Sequence, residues 1–69
     1  MIDPRALRTF HQVCQTGSIS GAARSLNISQ PSVSAAIAQL ETRLGARLFE
    51  RTRAGIVLTP EGEALAARV

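Results

Sequence analysis

An uncharged run from Gln30 to Gln39 holds the polar side chains of this sequence that are best suited to recognition chemistry. A Gln side chain can bond adenine N6 and N7 together, Ser can pair with several base edges, and Ala can touch the thymine methyl group. A helix face that meets only water usually carries Glu, Lys or Arg. The absence of charge therefore favours a face that enters a nucleic-acid groove over one that is merely solvated.

Four arginines follow this run within eleven positions, at 43, 47, 51 and 53, and only Glu50 interrupts them. The whole chain has eight Arg and no Lys against five acids, a formal net charge of +3. A small basic domain attracts polyanions, of which nucleic acid is the commonest in the cytoplasm. Net charge alone fits a solvated strip equally well. Arg51 and Arg53 are the stronger candidates because they border a predicted hairpin loop, whereas Arg43 can simply pair with a nearby acid.

The sequence contains no comparable group of residues for catalysis or metal binding. His11 and Cys14 lie three positions apart, but the chain has no other His or Cys to complete a metal site. Cys14 recurs with Leu7 and Phe10 at helical spacing, which indicates a buried structural thiol. We therefore expect no enzyme, no metal and no cofactor.

Length and composition narrow the class of protein further. A chain of 69 residues has room for one domain, and its eleven Ala favour closely packed helices over a roomy ligand cavity. A single Cys cannot form an intrachain disulfide and suits a reducing compartment. Because no apolar run approaches the ~20 residues of a membrane span and no secretory signal opens the chain, we expect a cytoplasmic protein.

A first helix is predicted over residues 4–16 from its capping signals. Asp3 is a good N-cap ahead of a proline, and Gly17 stands where a left-handed terminating residue belongs. Ile2 and Leu7 can form a hydrophobic staple across the start of this helix.

Two further helices follow closely. Ser18 or Ser20 caps a short second helix that Asn27 ends, although either hydroxyl can also donate to a phosphate. Ser29 caps a third helix over residues 30–44. The link between them is so short that the third helix must cross the second, which makes a helix-turn-helix. The third helix has an inner face predicted from its apolar spacing: Val33, Ile37, Leu40 and Leu44.

The pattern changes after Gly45, where segments 47–49 and 56–58 read as short strands joined by a hairpin loop over 52–55. A last helix then begins at residues 59–61, where Thr59 is the predicted N-cap and is followed by Pro60 and the first-turn acid Glu61. It is too short to persist alone, so it packs on this domain or on a partner. The residues available for that packing are Leu65 and Val69.

These elements predict a mainly α fold, a winged helix-turn-helix with three helices, a two-stranded hairpin wing and the start of a C-terminal helix. We divide it into a DNA-binding domain, 1–58, and the start of a last helix, 59–69. In such a motif helix 30–44 enters the major groove, and wing residues 51–55 reach the backbone or minor groove. The candidate DNA-binding residues are Gln30, Pro31, Ser32, Ser34, Ala35, Arg51 and Arg53.

The run from Gly17 to Ser34 resembles the helix-turn-helix of LysR-type transcriptional regulators. The resemblance continues through Gln39-Leu40-Glu41, Leu44-Gly45, residues 47–51 and residues 58–62, and it covers essentially the whole chain. It implies a bacterial transcription factor that binds interrupted palindromes in double-stranded DNA as a homodimer or higher oligomer. The resemblance makes residues 59–69 the truncated start of the linker helix through which the copies dimerise, with Leu65 and Val69 as dimerisation residues. It also implies a larger domain, absent from these 69 residues, that binds a small-molecule effector.

Carried over by position, Gln30, Pro31 and Ser34 match the DNA-contacting residues of that family, and Arg51 and Arg53 fall at its wing. Many members have Arg directly after the serine and often another basic residue three positions later, where this chain has Ala35 and Ala38. We therefore expect weaker direct base discrimination and more reliance on DNA shape.

Two other interpretations compete with this one. The N-terminal domain of molybdate-responsive regulators is a similar winged helix with a similar Gly-Ser-Ile-Ser stretch, but the Ser29-Gln30-Pro31 turn and the Leu48-Phe49-Glu50-Arg51 segment favour the LysR type. A winged helix that serves only as a protein-interaction module would bind duplex DNA no better than any polyanion.

Overall fold

The computed structural model describes residues 3–68, so the roles predicted for Ile2 and Val69 lie outside the described residues. The elements are α1 (Pro4–Thr16), α2 (Ile19–Leu26), α3 (Gln30–Leu44), β1 (Phe49–Thr52), β2 (Gly55–Leu58) and α4 (Pro60–Ala66). Helices α1, α2 and α3 pack against one another, and the strands form an antiparallel hairpin. The predicted winged helix-turn-helix is confirmed.

Side-chain caps begin the helices where the sequence predicts them. An Asp3 carboxylate oxygen accepts the Arg5 N–H at 2.9 Å, and Ser29 Oγ accepts the Ser32 N–H at 3.2 Å. Ser18 rather than Ser20 caps α2, since its Oγ accepts the Gly21 N–H at 2.8 Å.

The turn between α2 and α3 depends on one residue in a left-handed conformation. Asn27 has φ 57° and ψ 45°, which Asn tolerates better than most L-residues. The next amide, on Ile28, donates to the Ala23 carbonyl at 3.0 Å and so satisfies a carbonyl at the end of α2. Only two residues then remain before α3 begins, so the two helices are held in a fixed crossing.

The core lies where the first three helices meet the start of the hairpin. Its largest fully buried side chains are Phe10, Leu40, Leu48, Val13 and Val33. The Phe10 and Phe49 rings pack with their centroids 5.3 Å apart, which joins α1 to β1.

Two predicted apolar faces are partly wrong. Helices α2 and α3 both pack against α1. The residues of α1 that they help to bury are Ala6, Thr9, Phe10 and Val13, while Leu7 and Cys14 are only half-buried beside them. Leu44 is 41% exposed. Its helix ends at Gly45, which has φ 67°, and the returning chain fills the core with Leu48 instead.

Strand β1 lies later in the chain than predicted, since it covers 49–52 rather than 47–49, and β2 begins at Gly55, one residue earlier than predicted. Phe49 pairs with Leu58 and Thr52 pairs with Gly55, which leaves a two-residue turn instead of a four-residue loop. Thr52 Oγ1 holds this turn by donating to the Gly55 carbonyl at 2.9 Å and accepting the Ala54 N–H at 3.2 Å.

Helix α4 is docked onto the segment that enters the hairpin. Thr59 caps it by accepting the Gly62 N–H at 3.0 Å, while its hydroxyl donates to the Arg47 carbonyl and its own N–H donates to the Leu48 carbonyl at 3.0 Å. Gly62 is buried at this contact, and Leu65 packs against the core. Leu65 therefore already contributes to packing within this chain. Among residues 3–68, no helix is long and apolar enough to cross a bilayer.

Candidate nucleic-acid interface

The outward face of α3 carries the predicted recognition residues. Gln30, Pro31, Ser32, Ser34 and Ala35 are all exposed, whereas the opposite face of this helix is buried in the core. Such an exposed, uncharged face with small side chains can approach another surface closely. Its first turn offers few backbone donors to an anion, because Pro31 has no N–H and the Ser32 N–H is bonded to Ser29 Oγ.

One groove brings part of this face together with the wing and with the start of α2. Gln30 and Ser34 line it from α3, Ser18 and Ser20 line it from α2, and Arg51 lines it from β1. Within residues 3–68, no hydrogen bond engages the Gln30 or Ser34 side chain, so both are available to a ligand. Ser20 is exposed, whereas Ser18 is committed to its cap.

Arg51 faces this groove because of its position in the strand. Side chains alternate between the two faces of a strand, so Arg51 shares a face with the buried Phe49 two residues earlier. Its cross-strand partner is Ile56, which also packs against the core and lines the groove. Arg51 therefore lies on the core-facing side of the hairpin, just beyond the core, where the groove borders α3. Arg53 instead occupies the turn at the tip of the wing.

Ser32 differs from its neighbours because it takes part in the cap of α3. Its N–H donates to Ser29 Oγ, and its Oγ accepts the Ser29 hydroxyl at 2.8 Å. Of the seven predicted DNA-binding residues, the structure brings Gln30, Ser34 and Arg51 to one groove and leaves the others on the adjoining exposed surface.

Within the described residues Arg43 does not form the ion pair that was the alternative to a DNA contact. Glu41 pairs with Arg47 instead, at 3.8 Å between Oε2 and Nε, and the same Oε2 accepts the Leu48 N–H at 2.8 Å. The chain reverses after Gly45 and brings Arg47 back beside Glu41. The sequence did not predict that Glu41 pairs with Arg47 and accepts the Leu48 N–H, because no local spacing pattern indicates either contact.

The thiol of Cys14 lies at the edge of the core. Burial raises its pKa, although a backbone hydrogen bond acts in the opposite direction, so the neutral thiol is favoured. This environment favours a structural thiol over a reactive thiolate. Across residues 3–68, no group of three or more His, Cys, Asp or Glu side chains is arranged to hold a metal ion.

Comparison with known proteins relates this geometry to a family. The family model of bacterial regulatory helix-turn-helix proteins of the lysR family matches residues 4–63. An uncharacterized HTH-type transcriptional regulator of Escherichia coli, YdcI, is 51% identical over 59 residues, which are 86% of this chain and 19% of that protein. The curated relatives are much longer, and the chain spans between 19% and 25% of the lengths of YdcI, DgcR and AllS.

Solved structures agree in fold along almost the whole chain. A LysR-family transcriptional regulator from Eggerthella lenta superposes with a TM-score of 0.91 at 38% identity, covering 96% of this chain and 94% of that one. The CbnR DNA-binding domain, in a complex with DNA, superposes with a TM-score of 0.87 at 38% identity, covering 93% of this chain and 74% of that one. This chain belongs to the LysR family of bacterial transcriptional regulators, of which it contains the winged helix-turn-helix domain.

Proposed function

We propose that this domain binds double-stranded DNA in a sequence-dependent manner, with α3 in the major groove and the wing on the backbone or in the adjacent minor groove. The observation that carries the proposal is the groove in which Gln30 and Ser34 of α3 meet Arg51 of the wing. A comparable domain, that of CbnR, has been solved in a complex with DNA.

Each exposed residue has a role that its chemistry suits. Gln30 bonds adenine N6 and N7, and Ser32 and Ser34 bond base edges or phosphate. Pro31 and Ala35 provide apolar contact with thymine methyl groups. The wing arginines, Arg51 and Arg53, neutralise phosphates or enter the minor groove.

The exposed surface of α3 carries alanine at two positions, Ala35 and Ala38, where charged side chains would add direct contacts. Fewer base-edge hydrogen bonds leave more of the discrimination to groove width and to the ease of bending the DNA. We infer that this domain recognises the shape of its operator as well as the edges of its bases.

The proposal extends to the assembly of the longer protein. Residues 1–58 form the DNA-binding unit and residues 59–69 begin a linker helix, through which Leu65 and Val69 join two copies. A dimer of this kind reads an interrupted palindrome, with two recognition helices about one turn of DNA apart. A small-molecule effector acts through a further domain of a longer chain. The site of action is the bacterial cytoplasm, and the proposal includes no catalytic step.

Fluorescence anisotropy with a pool of random duplexes, repeated over a salt series, tests DNA binding. The tightest duplexes are then sequenced. Log affinity is expected to fall with log salt at about 0.9 per phosphate neutralised, with enrichment of a short shared half-site. A salt slope without enrichment would contradict sequence-dependent recognition by this chain, and no binding at low salt would favour the protein-interaction interpretation.

Two pairs of variants assign the groove residues. Gln30→Ala is expected to change the enriched sequence, whereas Gln39→Ala, which removes an exposed Gln from the same helix outside the groove, leaves it unchanged. Arg51→Ala lowers the salt slope by about 0.9. Arg8→Ala removes the same charge from the exposed side of α1 and is expected to have little effect.

A further inference from the structure

Glu41 places a carboxylate on the surface that the proposed function assigns to DNA. At 100° per residue, position 41 returns to within about 20° of position 34, roughly 10 Å further along α3. Glu41 lines a second groove between α3 and the wing together with Ser34, Arg47 and Arg51. Residues 30–40 of the same helix carry no charge, so Glu41 is the first charged side chain of α3. A negative charge at this position opposes phosphate binding.

The structural task of Glu41 does not require that charge. Its Oε2 accepts the N–H of Leu48 at 2.8 Å, and Leu48 is fully buried just before β1. Gln at position 41 also offers a side-chain oxygen for this hydrogen bond. The carboxylate therefore has an additional consequence, which is electrostatic.

That consequence falls on Arg47. The carboxylate lies 3.8 Å from Arg47 Nε, and the Arg47 side chain is 68% exposed while that of Glu41 is 23% exposed. Arg47 Nη2 also donates to the Phe49 carbonyl at 3.5 Å, which holds the guanidinium beside the wing. An exposed pair of this kind contributes little to stability. Its fixed charge still acts on a phosphate that approaches within a Debye length, about 8 Å at physiological salt.

We propose that Glu41 is a specificity-determining residue that limits non-specific DNA binding, because its carboxylate pairs with the Arg47 guanidinium and repels phosphates at the groove between α3 and the wing. Sequence-independent attraction then stays low enough for the contacts of Gln30 and Ser34 to discriminate between sequences. This inference rests on the proposed function.

Glu41→Gln tests the proposal, since it removes the charge and keeps an acceptor for Leu48. The variant is expected to bind random duplex more tightly, with a log–log salt slope steeper by about 0.9, the value for one added phosphate. Between 50 and 200 mM salt its affinity then falls by about 3.5-fold more than that of the wild type. The affinity ratio of the selected half-site to random duplex decreases. Circular dichroism and thermal unfolding check that the variant is folded.

Two controls separate this effect from net charge. Glu63→Gln makes the same charge change on α4, in a different groove beside Cys14 and Val57, and is expected to leave the salt slope unchanged. Arg47→Ala leaves the slope unchanged in the wild-type background but removes the gain in the Glu41→Gln background.

The proposal is overturned if a folded Glu41→Gln variant keeps the wild-type slope for random duplex, or if Glu63→Gln produces the same shift. It is also overturned if Arg47→Ala lowers the slope of the wild type, because Arg47 would then already contact phosphate. A wild-type domain that binds no DNA overturns the proposed function and this inference together, whereas DNA binding with an unchanged slope in Glu41→Gln overturns this inference alone.

Discussion

Replacing Gly62 by Ala tests how α4 is attached to the domain. A Cβ at this position would overlap with the backbone carbonyl oxygen of Leu48 and would lie 2.9 Å from Leu58 Cδ2. The carbonyl cannot move aside easily because it also accepts the Thr59 N–H at 3.0 Å. Helix α4 must therefore shift, and the Thr59 cap that also holds the Arg47 carbonyl shifts with it.

The sign of the effect makes this substitution informative. Helix propensity alone favours Ala over Gly by about 1 kcal/mol, whereas overpacking of a close contact costs about 1–3 kcal/mol and occasionally more. Since the overlap is with backbone, we expect a packing cost in the upper part of that range, about 2–3 kcal/mol, and therefore a net loss of stability of about 1–2 kcal/mol. In a domain of this size each kcal/mol lowers Tm by roughly 4–8 °C.

Thermal and urea unfolding followed by circular dichroism measure the difference. Ala64→Gly is the matched control, because it makes the reverse substitution in the same helix at an exposed position. It should cost no more than the propensity difference of about 1 kcal/mol. A Gly62→Ala domain as stable as the wild type, or more stable, would refute the close approach of α4 to the Leu48 carbonyl.

Three further substitutions or reactions test other contacts. Glu41→Ala leaves the buried Leu48 N–H without its acceptor and should lower the free energy of unfolding by about 1–3 kcal/mol, measured by urea unfolding. Glu41→Gln keeps an acceptor and should lose less stability. Equal losses in the two variants would contradict a stabilising role for this hydrogen bond. Asn27→Val should cost about 1–2 kcal/mol in the same assay, because a β-branched residue is strained at φ 57°, whereas Asn27→Gly should cost much less. Because burial raises the pKa of Cys14, alkylation of the folded domain should be slower than that of the urea-unfolded chain and should increase only at a more alkaline pH. Ionisation of the thiol favours the unfolded state, so stability is retained below the pKa of the unfolded thiol and declines as pH rises above it. Equal alkylation rates of the folded and unfolded chains at every pH would contradict the burial of Cys14.

The bounds of the helices follow from local signals that the sequence displays. Asp3, Ser29 and Thr59 cap helices where expected, and Asn27 and Gly45 end them in left-handed conformations. A cap bonds amides two or three residues away, so its geometry depends on few neighbours. The order of elements, and with it the winged helix-turn-helix, was predictable for this reason.

The faces of the elements were less predictable, because they depend on what covers each helix. Periodicity indicates an apolar stripe but not its edges, so the buried face of α1 centres on Phe10 and Val13 rather than extending to Cys14. Leu44 continues the stripe of α3 yet is exposed, since the chain turns at Gly45 and Leu48 takes the place in the core.

The candidate site divides in the same way. The types of Gln30 and Ser34, and their helical spacing, are visible in the sequence, so the recognition face was predictable from local pattern. The meeting of that face with Arg51, and the pairing of Glu41 with Arg47, depend on the hairpin register and on the chain reversal that precedes it. A shift of one residue in a strand moves a side chain to the opposite face. Long-range packing against the helices fixes that register, and with it the charge that borders the groove.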